Sequence, residues 1–106
     1  MTVFIVPESE GSKKGNRFAF RGKDGGRIYS VPFLQYLSGE SAAMVGKAVD
    51  ENWDEARLTR GLIGVECPAA ADAVLKMAND QVISLSRAWT EASSAAVGES
   101  VGSENS

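Results

Sequence analysis

An α+β fold, mostly helical, with one N-terminal β-hairpin followed by about four short helices, is what the sequence predicts. Three observations carry that expectation. Two short alternating stretches, Arg17-Phe18-Ala19-Phe20-Arg21 and Arg27-Ile28-Tyr29-Ser30-Val31, flank a segment of turn residues. After Pro32 the apolar residues recur at helical spacing instead of alternating. The chain has 106 residues, room for one domain and no second core.

Residues 1–15 read as an arm and a linker. Met1-Thr2-Val3-Phe4-Ile5-Val6 is apolar and β-branched and stops at Pro7, so it suits a short strand or an ordered arm. It has no basic flank and no long apolar core, so it is not a signal peptide. Glu8 to Gly15 is rich in Gly, Ser and Lys and reads as a flexible linker. The domain proper spans 16–95. In its hairpin, Phe18 and Phe20 share one face, Gly22-Lys23-Asp24-Gly25-Gly26 supplies the turn, and Pro32 ends the return strand. An isolated hairpin is marginal in water, so Phe18, Phe20, Tyr29 and Val31 are expected to pack on something else.

Phe33 to Leu37 forms an apolar turn into the helices. Gly39 to Val49 is the first helix, with Met44, Val45 and Ala48 inside. Asp50 or Asn52 is expected to cap the next, over about 52–63, with Asn52 and Glu55 resembling a capping box and Gly64 as the stop. That helix would carry Trp53, Ala56, Leu58, Leu62 and Ile63. Pro68 suits the first turn of a third helix, in which Ala71, Val74, Leu75 and Ala78 follow the i, i+3, i+4, i+7 rule. Asn79 or Asp80 is expected to cap the last, over about 80–94, with Val82, Leu85 and Trp89 inside and Ile83 at the border. Residues 96–106 lack aromatic residues and read as a disordered tail.

Composition narrows the function. Hydrophobic residues make up 43% and charged residues 24%, which is ordinary for a globular domain and unlike a disordered chain. The net charge of −3 lacks the footprint of a general nucleic-acid binder. Lys13, Lys14, Arg17, Arg21, Lys23 and Arg27 do make the N-terminal third locally basic, so a small adaptor or regulator binding nucleic acid through the hairpin stays open as an alternative. Charged hairpin edges that discourage edge pairing account for the same residues. No apolar run reaches the roughly 20 residues of a membrane span, and a cytoplasmic location is expected.

Chemistry is sparse. There is no histidine, which removes the commonest general base and metal ligand. The single cysteine, Cys67, makes neither a disulfide nor a zinc site. Asp50, Glu51, Asp54 and Glu55 form an acidic cluster that fits a helix N-terminus better than an acid/base pair. Gly22 to Gly26 lacks the spacing of a phosphate loop. No enzyme activity, cofactor, metal or small-molecule substrate is expected. The expectation is a protein that binds another protein, with Phe18, Phe20, Tyr29, Trp53 and Trp89 as candidate contact residues.

Two segments together carry a resemblance. The first is Arg17-Phe18-Ala19-Phe20 with Ile28-Tyr29-Ser30-Val31-Pro32-Phe33-Leu34-Gln35-Tyr36-Leu37. The second is Ala88-Trp89-Thr90-Glu91-Ala92-Ser93 with Val97-Gly98-Glu99-Ser100. The pair resembles the tail assembly chaperones of long-tailed phages and prophages of Gram-positive, especially actinobacterial, hosts. Those proteins open on an aromatic-x-aromatic strand and a Tyr-x-Val/Ile-Pro-x-Leu-x-Tyr-Leu element, and close on Trp-x-Glu-Ala-Ser followed by Gly-Glu-Ser. Ser38 stands where the family often has proline, and Val101-Gly102-Ser103 replaces its usual Ser-Ala-Ser.

The resemblance implies a protein made as a short form and a frameshifted longer form. It implies binding to the tape measure protein, upkeep of that chain's solubility, help to tail tube subunits as they polymerise around it, self-association, and absence from the finished virion. It also marks Gly98 and Glu99 as the frameshift region, since GGN followed by GAA or GAG allows a purine run on which tRNAs slip back one base.

Overall fold

The computed structural model describes residues 2–105, with side chains described from 2 to 97. Strands β1 (Arg17–Arg21) and β2 (Ile28–Pro32) form the hairpin. Helices α1 (Gly39–Glu51), α2 (Glu55–Glu66), α3 (Ala71–Lys76) and α4 (Asn79–Asn105) follow in chain order. The α+β, mainly helical class expected from periodicity is the one found.

The hairpin register pairs Phe18 with Val31 and Phe20 with Tyr29, which puts all four side chains on one face. The Phe18 and Phe20 rings lie 6.1 Å apart, and those of Phe20 and Tyr29 5.7 Å. Gly25 supplies the positive φ of the turn, at 76°. Pro32 does not stop the ladder as expected. It pairs with Arg17, and the Phe33 N–H donates to the Asn16 carbonyl one step further on, at 3.0 Å. Hydrogen-bonded and non-hydrogen-bonded pairs alternate, so Pro32 falls where its nitrogen faces out of the ladder and a missing N–H is harmless.

Most of the segment read from composition as a flexible linker, Glu8 to Gly15, is built, together with Asn16, into two 3-10 turns, Glu10–Ser12 and Lys14–Asn16. Ser9 caps the first, accepting the Gly11 N–H at 3.1 Å. Gly11 is buried, and a Cβ there would lie 3.0 Å from both Pro32 and Tyr36. Only glycine lets the chain approach so closely. Arg17 locks the segment down: it donates to the Gly11 carbonyl at 2.8 Å and to Ser30 through two other nitrogens at 3.0 Å.

The helix boundaries differ instructively from the expected ones. Asn52 does not open α2; it closes α1 in the left-handed conformation, φ 56° and ψ 47°. Asp54 caps α2, accepting the Arg57 N–H at 2.8 Å. Asn tolerates the left-handed region, whereas a carboxylate gains from the positive end of a helix. Trp53 therefore sits in the link, not on a helix. Gly64 does not stop α2, which runs to Glu66. The stop is Cys67, held out of helical geometry by Pro68. Gly61 is the glycine that matters in α2, because a Cβ there would clash with the Met44 sulfur of α1.

Helix α3 is short and begins from a 3-10 turn, Pro68–Ala70, which rotates its phase. Ala70 and Val74 face the core, while Leu75, expected inside, is 70% exposed and Ala78 lies beyond the helix. Helix α4 is capped by neither Asn79 nor Asp80. The Gln81 carboxamide reaches back to accept the Ala78 N–H at 2.8 Å, the reciprocal half of a capping box. The Asn79 side chain is taken by Arg60 instead. Val82 and Trp89 are buried on α4, as expected, and Leu85 is partly so. Helix α4, expected to end near residue 94, runs on to Asn105, so residues 96–105 of the expected disordered tail are helical, and Ser106 lies outside the described residues. Among the described residues, no helix is long and apolar enough to cross a membrane.

Phe20, Val31, Leu62, Ile63, Ala70, Val74 and Trp89 make the core, drawn from the hairpin and every helix but α1, which adds Met44 and Val45 at its margin. Trp89 is the largest fully buried side chain. Replacing it with alanine should cost about 3–5 kcal/mol, read as a shift of the urea-unfolding midpoint.

Glu66 ties the end of α2 to the start of α1. One of its oxygens accepts from the Ser38 N–H at 2.9 Å, the Ser38 hydroxyl at 2.8 Å and the buried Ser41 hydroxyl. Burial alone would raise its pKa. The three hydrogen bonds and the nearby Arg17 charge outweigh burial and hold it below the usual 4.5. A lowered folded-state value means that its contribution is fully present above the unfolded pKa. That contribution is lost as the pH falls through the folded one. Stability of the native chain measured from pH 6 down toward pH 3 should therefore fall more steeply than that of Glu66→Gln.

Candidate partner-binding surface

The two resembling segments, far apart in the chain, meet in the fold. The Trp89 indole N–H donates to the Pro32 carbonyl at 2.9 Å. One turn further along α4, the Ser93 hydroxyl accepts the Leu34 N–H at 2.9 Å, and the Gln35 carboxamide reaches the Ser93 carbonyl at 3.3 Å. The i, i+4 spacing of Trp89 and Ser93 thus puts two polar groups against consecutive turns of the hairpin exit. Ser93 is buried.

This docking decides which candidates can touch a partner. Phe20 and Trp89 are core side chains, 9% and 2% exposed, and offer no surface. The reason is that hairpin and α4 bury their apolar faces on each other. Phe18 and Tyr29 are half-buried at the hairpin edge. Trp53 is half-buried too, with the Arg57 guanidinium 4.0 Å and the Lys47 ammonium 6.0 Å from its ring centre and its N–H given to Glu51 at 3.2 Å. Gly98 and Glu99 lie outside the residues whose side chains are described.

Tyr29 opens onto a cleft of about 430 Å³ between the hairpin turn, α3 and α4. Tyr29, Ala73 and Met77 line it with apolar surface, and Lys23, Arg27 and Lys76 stand around it. The Arg27 guanidinium lies 5.2 Å from the Tyr29 ring centre. A thioether and an aromatic floor can adapt to differing apolar side chains, while three cations favour a partner carrying acidic residues.

A second surface is a pair of neighbouring depressions along α4. One, about 320 Å³, is lined by Leu34, Leu37, Val45, Leu58 and Leu62, with Glu55 and Thr90 among its polar residues. The other shares Leu34 and Thr90 and is lined further by Gln35, Ser93, Ser94 and Val97. The third exposed apolar feature is the arm. Residues 2–9 form neither strand nor helix, and Val3, Phe4, Ile5 and Val6 are 72–84% exposed. Neither groove nor arm was singled out as a contact surface from sequence. The arm's apolar, largely β-branched run was the available signal; the groove had none, since its walls come from four separate segments.

The basic hairpin is partly spent internally. Arg17 is engaged with Gly11 and Ser30, and Lys13 pairs with Glu10 at 2.6 Å. The acidic cluster is also dispersed: Asp54 caps α2, Glu51 holds Trp53, and Glu55 lies 3.9 Å from Arg87. Among the described residues no three His, Cys, Asp or Glu side chains stand close enough to hold a metal. Comparison with protein-family models, with curated proteins and with solved structures finds no significant match in any of the three.

The two tryptophans provide a direct check on these placements. In Trp53→Phe the remaining indole should emit at short wavelength and resist acrylamide quenching. In Trp89→Phe it should be readily quenched. The Trp53 change should cost no more than about 1 kcal/mol of stability.

Proposed function

We propose that the chain is a tail assembly chaperone of the long-tailed phage type, which binds the tape measure protein, keeps it in solution and assists tail tube polymerisation around it. The observation that carries this reading is the junction just described. The aromatic-strand and Val-Pro-x-Leu element and the Trp-x-Glu-Ala-Ser element, the two parts of the resemblance, hydrogen-bond to each other through Trp89 and Ser93. Residues that compose one structural unit are a better basis for kinship than two unrelated short matches.

The physical demands of the task fit the surfaces. A long amphipathic helical client exposes apolar stripes until it is coated, and coating needs modest apolar patches repeated along it. The cleft floored by Tyr29 and Met77 takes part of such a stripe, and Lys23, Arg27 and Lys76 take acidic residues flanking it. Several linked copies on one client raise a weak single-site affinity by multivalency. The alternative, a nucleic-acid adaptor using the hairpin, has less in its favour, because Arg17 and Lys13 are already paired within the chain.

Two experiments test the reading. The gene should carry a slippery purine run at the codons for Gly98 and Glu99, an overlapping −1 frame and a very long open reading frame behind it. Co-expressed with the product of that long frame, the chain should hold it soluble and co-purify with it. The double variant Arg27→Glu/Lys76→Glu, at two exposed positions, should keep the native circular dichroism and bind the client at least about tenfold more weakly. Retention of the wild-type chain on DNA at low salt, with no binding to the long product, would sink the proposal.

A further inference from the structure

We infer that the outer edge of β1 takes an extended, acidic segment of another protein as a third strand of the sheet. The register decides which backbone groups are free. The Phe33 N–H donates to the Asn16 carbonyl, so Phe18 with Val31 and Phe20 with Tyr29 are the hydrogen-bonded pairs that follow. Arg17, Ala19 and Arg21 on β1, and Ile28, Ser30 and Pro32 on β2, therefore turn their backbone groups outward.

The two edges are not equally open. On β2, Pro32 has no N–H, its carbonyl accepts from the Trp89 indole, and the Ser30 carbonyl accepts from Arg17. On β1, the outward backbone groups of Ala19 and Arg21 have no hydrogen-bond partner among the described residues, and both residues are exposed. The strand carries neither a proline nor a bulge to blunt this edge. Outward donors and acceptors that recur about every 7 Å along an extended chain match the backbone of another strand.

Charge selects the occupant. From Lys13 to Lys23 the chain holds five cations and no acidic residue. Of these, only Lys13 is in an ion pair among the described residues. A second copy of β1 laid antiparallel about Ala19 would set Arg17 against Arg21 twice, and like charges directly opposite are destabilising. An acidic segment gains at both positions instead. Alternation then orders its side chains. Residues facing Arg17 and Arg21 are acidic, the residue facing Ala19 is short, and the two between turn toward the face that carries Phe18 and Phe20. At the Arg21 end a depression of about 370 Å³ lies between the strand and α4, lined by Met77 and Leu85 as well as Asp80 and Ser84. It offers apolar surface to the inner side chain nearest Arg21. The recognised pattern is acidic, apolar, short, apolar, acidic, and it reads the same in either strand direction.

The inference does not rest on the chaperone reading, and its test uses no client. The probe is the blocked peptide Ser-Glu-Val-Thr-Val-Glu-Ser, with Ser-Lys-Val-Thr-Val-Lys-Ser as its charge-reversed counterpart. Each is titrated into the isotope-labelled full chain and followed by amide NMR. With the acidic peptide, the Ala19 and Arg21 resonances should move and the Ala19 N–H should exchange more slowly with solvent. The Phe18 and Phe20 amides, already bonded in the ladder, serve as the reference. The lysine peptide should bind at least about tenfold more weakly. Arg21→Glu, at an exposed position, should keep the native circular dichroism and bring the two peptides within about threefold of each other. No response at Ala19 and Arg21, equal binding of the two peptides to the wild-type chain, or an unchanged preference in Arg21→Glu would each overturn the inference.

Discussion

The Trp89 indole donates its N–H to the Pro32 carbonyl, and the other parts of the structure are arranged around that bond. A two-stranded hairpin has too little surface to stand alone, and a small helical bundle has too little core. Trp89 solves both problems in one place. Its ring fills the space beneath Phe20 and Val31, while its single polar group satisfies a carbonyl that Pro32 carries out of the ladder. Ser93 repeats the device one turn later at Leu34. The hairpin is thereby fixed in angle and register against α4, and the helices between them are enclosed.

Short helices in a small domain end often, and each end leaves backbone groups to satisfy. Long polar side chains from α2 do much of that work here. Arg60 donates to the carbonyls of Val74 and Met77 and to the Asn79 side chain, closing the end of α3 and the start of α4 together. Glu66 does the equivalent at the start of α1. Neighbouring helices are thus joined by charge-assisted hydrogen bonds where apolar area is scarce. The buried hydroxyls of Ser41 and Ser93 belong to the same economy, since each is partnered.

What remains outside this framework is a set of separate apolar surfaces. The Tyr29 cleft, the groove along α4 and the arm lie on different parts of the molecule and have different chemistry. One is rimmed by cations, one mixes leucine and valine side chains with hydroxyls, and one is an exposed apolar segment with no regular structure. A protein that must hold a client and also contact its own copies has need of distinct surfaces for the two.

The hairpin and its paired aromatic face were legible in the sequence because alternation, a Gly-rich turn and β-branched residues are local signals. So were the inner faces of α1 and α4, where spacing alone sets the face. The boundaries were not. Asn52 and Asp54 are both plausible caps, and only the turn between α1 and α2 decides that one terminates and the other initiates. Leu75 satisfies helical spacing yet points outward, because a 3-10 turn resets the phase of α3. Of the candidate contacts, aromatic type marked all five equally. Burial of Phe20 and Trp89, and partial exposure of Phe18, Tyr29 and Trp53, followed from which faces met. The sequence by itself determined the hairpin, the four helices that follow it and the β-prone character of the arm, because those depend on neighbours along the chain. Only the tertiary structure decided where Trp89 docks, which aromatic residues stay accessible and where the groove lies, because those depend on contacts between segments tens of residues apart.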